Sequence, residues 1–109
     1  METNEKLQEA EFFTVANKSS PHGSVLIITD TELISRKFEN EKLQLDLSKG
    51  FYVGEVMAAV DIAPKIEGSY VLHVTGKKAV AFVSSLGYIN SEKVLEIDGI
   101  PHAEVYLGL

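Results

Sequence analysis

Histidine is the side chain best suited to proton transfer or metal binding near neutral pH. The chain holds three, His22, His73 and His102. His102 follows Pro101 in a segment that favours a strand, so its imidazole could act as an acid, a base or a ligand. The alternative is a ring that hydrogen-bonds a neighbouring backbone group. The three histidines show no paired spacing such as His-x-x-x-His, and the chain has no cysteine. The pattern therefore predicts no metal site, no cofactor and no set of catalytic residues.

The segment Thr75-Gly76-Lys77-Lys78 follows an apolar strand and opens a predicted helix. Free amides at the start of a helix, with two lysines beside them, favour an anion. The segment lacks the glycine spacing of a nucleotide-binding loop. The alternative is an ordinary threonine cap with two solvated lysines. These four residues are therefore candidates for binding a small anion.

A second candidate surface is the run Phe51-Tyr52-Val53-Gly54-Glu55, which joins a predicted strand to a predicted helix. Exposed aromatic rings there could stack on a nucleic-acid base or anchor a protein partner. The alternative places Phe51 in the core and Tyr52 at its rim, with Gly54 for backbone freedom and Glu55 in the first helical turn. We take Phe51, Tyr52, Gly54 and Glu55 as candidate binding residues.

The elements that must position these residues follow from hydrophobic periodicity and turn residues. The predicted strands are 11–16, 25–29, 43–47, 69–74, 94–97 and 101–107, with hairpin turns at 17–23 and at Asp98-Gly99. The predicted helices are a short one capped by Asp30, one over 54–63 closed by Pro64 and Gly68, and one capped by Thr75 and ended by Gly87. This order predicts an α+β fold, a two-layer sandwich with a mixed, mostly antiparallel sheet and two to three helices.

Composition narrows the class of protein. The chain has 109 residues, 45% of them hydrophobic, which is enough for one core without disulfides. No apolar run approaches the roughly 20 residues of a membrane span, and the polar, acidic start lacks the pattern of a signal peptide. We expect a cytoplasmic protein with no membrane partner, made of a flexible acidic lead-in over 1–9 and a single α+β domain over 10–109. The net charge of −6 disfavours phosphate backbones on average but still permits a local basic patch.

Several strings resemble a small archaeal family, domain of unknown function 424. They include the aromatic run at 51–55, Gly-Lys-Lys-Ala-Val at 76–80 and Ile-Asp-Gly-Ile-Pro-His-Ala at 97–103. Members of that family tend to have asparagine in place of His73 and glutamine in place of Glu104. The resemblance implies a two-layer α/β fold and an archaeal, cytosolic setting, and it implies no activity.

Three functional hypotheses follow. The leading one is a non-enzymatic binding module acting through Phe51, Tyr52 and the Gly76-Lys77-Lys78 turn, with RNA or a ribonucleoprotein as the first partner class to test. The second is a small ligand-binding protein or enzyme that uses His102 and an anion site at Thr75-Gly76. The third is a homodimer or protein adaptor that pairs through an exposed edge of the first or last hairpin.

Overall fold

The computed structural model describes residues 11–108, which form an α+β fold on a six-stranded mixed sheet. The acidic lead-in predicted over 1–9 lies outside the described residues. The strands are β1 Phe12–Ser20, β2 Gly23–Thr29, β3 Lys37–Glu39, β4 Gln44–Asp46, β5 Glu55–Ala58, β6 Val71–Thr75, β7 Leu95–Ile97 and β8 Ile100–Tyr106. The order in the large sheet is β5-β1-β2-β6-β8-β7. Strands β2 and β6 run parallel, and the other neighbouring pairs are antiparallel.

Two helices, α1 Ala59–Glu67 and α2 Lys77–Ser85, cover one face of this sheet. Because side chains alternate between the two faces of a strand, every second residue of the central strands points to the helices. The main core consists of those residues and the buried helix positions: Phe13, Val15, Leu26, Ile28, Leu72 and Val74 from the strands, and Ala59, Ile62, Ile66, Ala79 and Val83 from the helices.

The opposite face of the sheet carries a second, smaller core. Strands β3 and β4 form a separate two-stranded sheet, and short 3₁₀ turns lie at Thr31–Leu33, Gly50–Tyr52 and Ser91–Lys93. The buried residues of this core are Leu33, Phe38, Leu45, Leu47 and Ile97, with Tyr52 and Ile100 packed against them. This layer leaves part of the sheet face open, and the candidate site lies there.

The predicted α+β class with a mixed sheet and two helices is confirmed. Both glycine turn signals also behave as predicted. Gly87 has a φ of +88° directly after the C-cap Leu86, as a left-handed helix end requires. Asp98 and Gly99 both have positive φ angles, 54° and 80°, which is the conformation of a tight type I′ hairpin turn.

Two element predictions are wrong. Strand β1 continues to Ser20, so the predicted turn over 17–23 shrinks to the residues just before Gly23. The helix predicted over 54–63 starts only at Ala59, because residues 55–58 pair with the beginning of β1 as strand β5. A neighbouring strand offers backbone hydrogen bonds that override the helical spacing of a short apolar stretch. Of the two residues predicted to close this helix, Pro64 lies inside α1 and does not end it, whereas Gly68 is its C-cap.

Candidate functional site

One face of the large sheet carries polar side chains in two adjoining rows. The strand register aligns the first row across four strands, formed by Thr14, Thr29, Thr75 and His102. In the next row, His73 on β6 is the direct cross-strand partner of Glu104 on β8. Two histidines and a carboxylate therefore meet on the same face of two adjacent strands, although Glu104 lies 31 positions after His73 in the chain.

The carboxylate of Glu104 lies between the two imidazoles. Its Oε2 is 3.5 Å from the Nδ1 of His73 and 3.7 Å from the Nε2 of His102. One donor atom from each of the three side chains lies within 4.8 Å of the other two. The side chain of His102 is 10% exposed, that of His73 is 21% exposed and that of Glu104 is 47% exposed, so the cluster opens to solvent on the Glu104 side.

Burial favours the neutral form of both imidazoles. Burial lowers the pKa of His73 and the pKa of His102 below the usual 6.5, and the negative charge of Glu104 only partly opposes this. A neutral imidazole keeps one nitrogen lone pair free to accept a proton or a metal ion. The Oγ1 of Thr75 lies 2.8 Å from the Nδ1 of His102 and holds that ring in place with its Nε2 towards Glu104.

An aromatic pair forms one wall of the site. The ring of Phe51 meets that of His73 edge to face, with centroids 5.1 Å apart, and meets that of Tyr52 in the same way at 5.0 Å. Phe51 is 37% exposed and Tyr52 is half-buried. Burial, followed by the negative charges of Glu104 and Asp46, raises the pKa of Tyr52, so its phenol stays protonated at neutral pH. The candidates Phe51, Tyr52, Thr75 and His102 thus come together at one place.

The anion site predicted at the start of α2 is filled by the protein itself. The carboxylate of Asp30 accepts hydrogen bonds from the backbone amides of Lys78 at 3.1 Å and Ala79 at 2.7 Å. The Gly76 amide donates to the carbonyl of Pro101 at 2.9 Å. Burial raises the pKa of Asp30, and the two amide bonds lower it, so the carboxylate is desolvated and hydrogen-bonded at the same time.

Two further expectations at this helix start are corrected. The N-cap of α2 is Gly76, not Thr75, because the Thr75 hydroxyl is engaged with His102. The short helix predicted from Asp30 is only a 3₁₀ turn at Thr31–Leu33, to which the Asp30 side chain makes no cap hydrogen bond. Asp30 instead caps α2, whose amides lie 48 and 49 residues further along the chain.

The two lysines of α2 do not share a surface with the aromatic pair. Lys77 and Lys78 line a groove between α1 and α2, in the helical layer. The Nζ of Lys78 lies 3.7 Å from the Oε2 of Glu32 in an exposed ion pair. Phe51 packs on His73, on the opposite face of the sheet. The Gly76-Lys77-Lys78 turn and Phe51-Tyr52 therefore cannot contact one small ligand together.

The remaining candidates lie apart from the histidine cluster. A Cβ placed on Gly54 would overlap the carbonyl group of Val15, so this glycine permits close contact between two backbones. Glu55 is exposed on the outermost strand β5. His22 is exposed and stacks on Tyr70, with ring centroids 5.6 Å apart.

Glu104 is not among the candidate residues from the sequence, and His73 is considered there only as one of three histidines that lack metal-ligand spacing. Each is a polar position between apolar neighbours, Leu72 and Val74 for His73, and Ala103 and Val105 for Glu104. That alternation marks the side chains that face away from the main core. It does not show which strands are neighbours or in which register, and so the sequence could not pair these two residues with each other.

Thr29, in the same polar row, provides a test of how this face is packed. Its side chain is fully buried, and within residues 11–108 its Oγ1 has no hydrogen-bond partner. We expect Thr29→Val to raise the free energy of unfolding by about 1–2 kcal/mol, because it removes an unsatisfied buried hydroxyl at nearly constant shape. Urea denaturation measures the change.

Thr14→Val is the matched control in the adjacent strand. The Thr14 hydroxyl is hydrogen-bonded to the Thr31 hydroxyl at 3.0 Å, so its removal should lower the free energy of unfolding by about 1 kcal/mol. A loss of stability in Thr29→Val would show that its hydroxyl is paired in solution and would contradict the prediction.

Comparison with known proteins identifies the family but no activity. No helix of residues 11–108 is long and apolar enough to cross a membrane. No curated protein matches the chain. A crystal structure of an uncharacterized conserved protein from Methanopyrus kandleri is similar, with a TM-score of 0.74 and 20% sequence identity, over 90% of this chain and 93% of that one. The family described as "Protein of unknown function (DUF424)" matches residues 17–107, so the chain belongs to the DUF424 family.

Proposed function

We propose that this protein is a non-enzymatic binding module, and that it binds through the sheet face around Phe51 and Tyr52. The observation that carries the proposal is the position of Phe51, a residue that is 37% exposed and whose ring is nearly perpendicular to the rings of His73 and Tyr52. An aromatic ring fixed beside an open sheet face suits a base or another flat group. RNA or a ribonucleoprotein in an archaeal cytoplasm is the first partner class to test.

The charge of the face determines how such binding would work. Glu104 and Asp46 both lie close enough to Tyr52 to raise its pKa, and Lys37 and Lys49 lie near Asp46 and partly offset its charge. The two lysines of α2 lie in the other layer, and the whole chain has a net charge of −6. Affinity would therefore come from stacking on unpaired bases and little from phosphate contacts. For single-stranded RNA, a plot of the logarithm of the association constant against the logarithm of the salt concentration has a slope of about −0.7 for each phosphate neutralised. We expect a slope no steeper than that of two such contacts, one for each of Lys37 and Lys49.

Replacing Phe51 with alanine should weaken binding of short single-stranded RNA by about 1–3 kcal/mol, the contribution of one stacked base. The assay is fluorescence anisotropy with labelled RNA pools at low salt. Leu86→Ala is the matched control, because Leu86 is exposed to a similar extent, 40%, but lies at the end of α2 in the helical layer. Absence of RNA binding by the wild-type chain at low salt, or equal losses in both variants, would refute the RNA proposal.

A homodimer or protein adaptor is the second candidate, and the sheet edges favour it. Strand β5 pairs only with Phe12 to Val15 of β1, so residues 16–20 of β1 have no outer strand partner within residues 11–108. On the other side, β7 pairs with β8 only from Ile100 to His102. Open backbone groups at such edges can pair with another chain. A dimer mass in light scattering would favour this candidate over a monomeric RNA-binding module.

A further inference from the structure

We propose that His73, His102 and Glu104 bind a divalent transition-metal ion of the Zn²⁺ class, through the Nδ1 of His73, the Nε2 of His102 and a carboxylate oxygen of Glu104. Two imidazole nitrogens and one carboxylate oxygen are a donor set that Zn²⁺ accepts, with a fourth position left for water or a partner's atom. Metal binding at this cluster does not depend on the proposed RNA binding.

The spacing of the donor atoms is close to what such an ion requires. Bonds of about 2.0–2.1 Å in a tetrahedral arrangement place the donors about 3.3 Å apart. The Glu104 oxygen lies 3.5 Å from the His73 nitrogen and 3.7 Å from the His102 nitrogen. These distances are too long for good hydrogen bonds and within a few tenths of an ångström of the metal-bound spacing. One donor atom from each side chain lies within 4.8 Å of the other two, so the site needs only a small further approach of its side chains to hold an ion.

The backbone that carries these donors is rigid. Strand β6 is paired on both sides, and β8 pairs with it throughout, although β7 covers the outer side of β8 only as far as His102. His73 and Glu104 are direct cross-strand partners on these two strands. His102 pairs with Thr75 one step further along the same face. Ligands on paired strands lose little backbone freedom when an ion binds, which favours affinity.

The surroundings orient the two imidazoles as metal ligands require. A ligating histidine usually bonds its second nitrogen to a neighbouring polar group, which fixes the ring. The Thr75 hydroxyl does this for His102, at 2.8 Å from Nδ1, and directs Nε2 to the centre of the cluster. Phe51 restrains the ring of His73 edge-on.

The test is a titration of the full chain, freed of metal by chelation, with Co²⁺ and then Zn²⁺. We expect one ion per chain, Co²⁺ absorption bands of a low-symmetry tetrahedral site, displacement of that Co²⁺ by Zn²⁺, and shifts of the His73 and His102 imidazole resonances. His102→Gln and Glu104→Gln should each weaken binding at least about 100-fold, more than the loss expected for an outer-shell group. Glu104 is nearly half exposed, so its variant keeps the fold even if the His102 variant does not.

Two further variants distinguish metal binding at this cluster from nonspecific binding to an exposed histidine. His22→Gln is the matched control, because His22 is exposed and lies outside the cluster, and it should leave affinity unchanged. Thr75→Val tests the positioning role of the hydroxyl and should weaken binding about 10-fold with one ion still bound. The proposal is overturned if millimolar Zn²⁺ shifts neither imidazole, or if Glu104→Gln binds as tightly as the wild type. No RNA is present, so this outcome and the outcome of the RNA assay are independent.

Discussion

Replacing Asp30 with alanine should lower the free energy of unfolding by about 3 kcal/mol. The Asp30 carboxylate accepts the backbone amides of Lys78 and Ala79 at the start of α2. Ala79 is fully buried, so no solvent can replace the lost acceptor there. Loss of an N-cap acceptor costs about 0.5–2 kcal/mol, and a buried amide left without a partner costs about 1–3 kcal/mol. Urea denaturation followed by circular dichroism gives the difference.

Two companion variants isolate the cap. Asp30→Asn keeps an oxygen for one of the two amides and removes a charge whose burial raises the pKa of Asp30. It should therefore lower the free energy of unfolding by less than Asp30→Ala does. Glu32→Ala removes only an exposed ion pair to Lys78 and should change the free energy of unfolding by less than about 0.5 kcal/mol. Equal stability of Asp30→Ala and the wild type would mean that the cap is not formed in solution. It would also reopen the anion site at this helix start.

Replacing Gly54 with alanine should lower the free energy of unfolding by about 2–3 kcal/mol. A Cβ on this residue would overlap the carbonyl group of Val15 and approach the amide nitrogen of Ala16. These are backbone atoms of β1, which is held by β5 on one side and β2 on the other, so they cannot move away without loss of ladder hydrogen bonds. Overpacking of this kind typically costs about 1–3 kcal/mol.

Gly50→Ala is the control for this substitution. A Cβ on Gly50 would meet no atom within 4 Å, and the residue lies in the same connection, at the 3₁₀ turn Gly50–Tyr52. We expect its stability to stay within about 0.5 kcal/mol of the wild type. Similar urea midpoints for the two variants would contradict the close contact between Gly54 and β1. A large loss in Gly54→Ala alone would assign Gly54 a structural role, apart from any binding by Phe51.

Much of the fold follows from local patterns in the sequence. Alternation of apolar residues locates most strands, and Gly87 and the Asp98-Gly99 pair mark a helix end and a hairpin turn where the structure has them. These signals work because a positive φ or a period of two is a property of a few adjacent residues. The prediction of a helix over 54–63 was wrong at its start because β5 forms by pairing with the distant strand β1, which a local pattern does not show.

The candidate site depended on contacts that no local pattern encodes. Which strands are neighbours, and in which register, is decided by packing between distant segments, and a shift of one residue would turn every side chain to the other face. The pairing of β6 with β8 brings His73, His102 and Glu104 together. It also places the Thr75 hydroxyl within hydrogen-bond distance of His102, so that this hydroxyl does not cap α2. Likewise, Asp30 closes the start of α2 because the parallel pairing of β2 and β6 ends both strands side by side. The sequence by itself determined the residue types and the face on which each lies along its strand. Only the tertiary structure decided which of them meet, because that depends on free energies summed over the whole sheet.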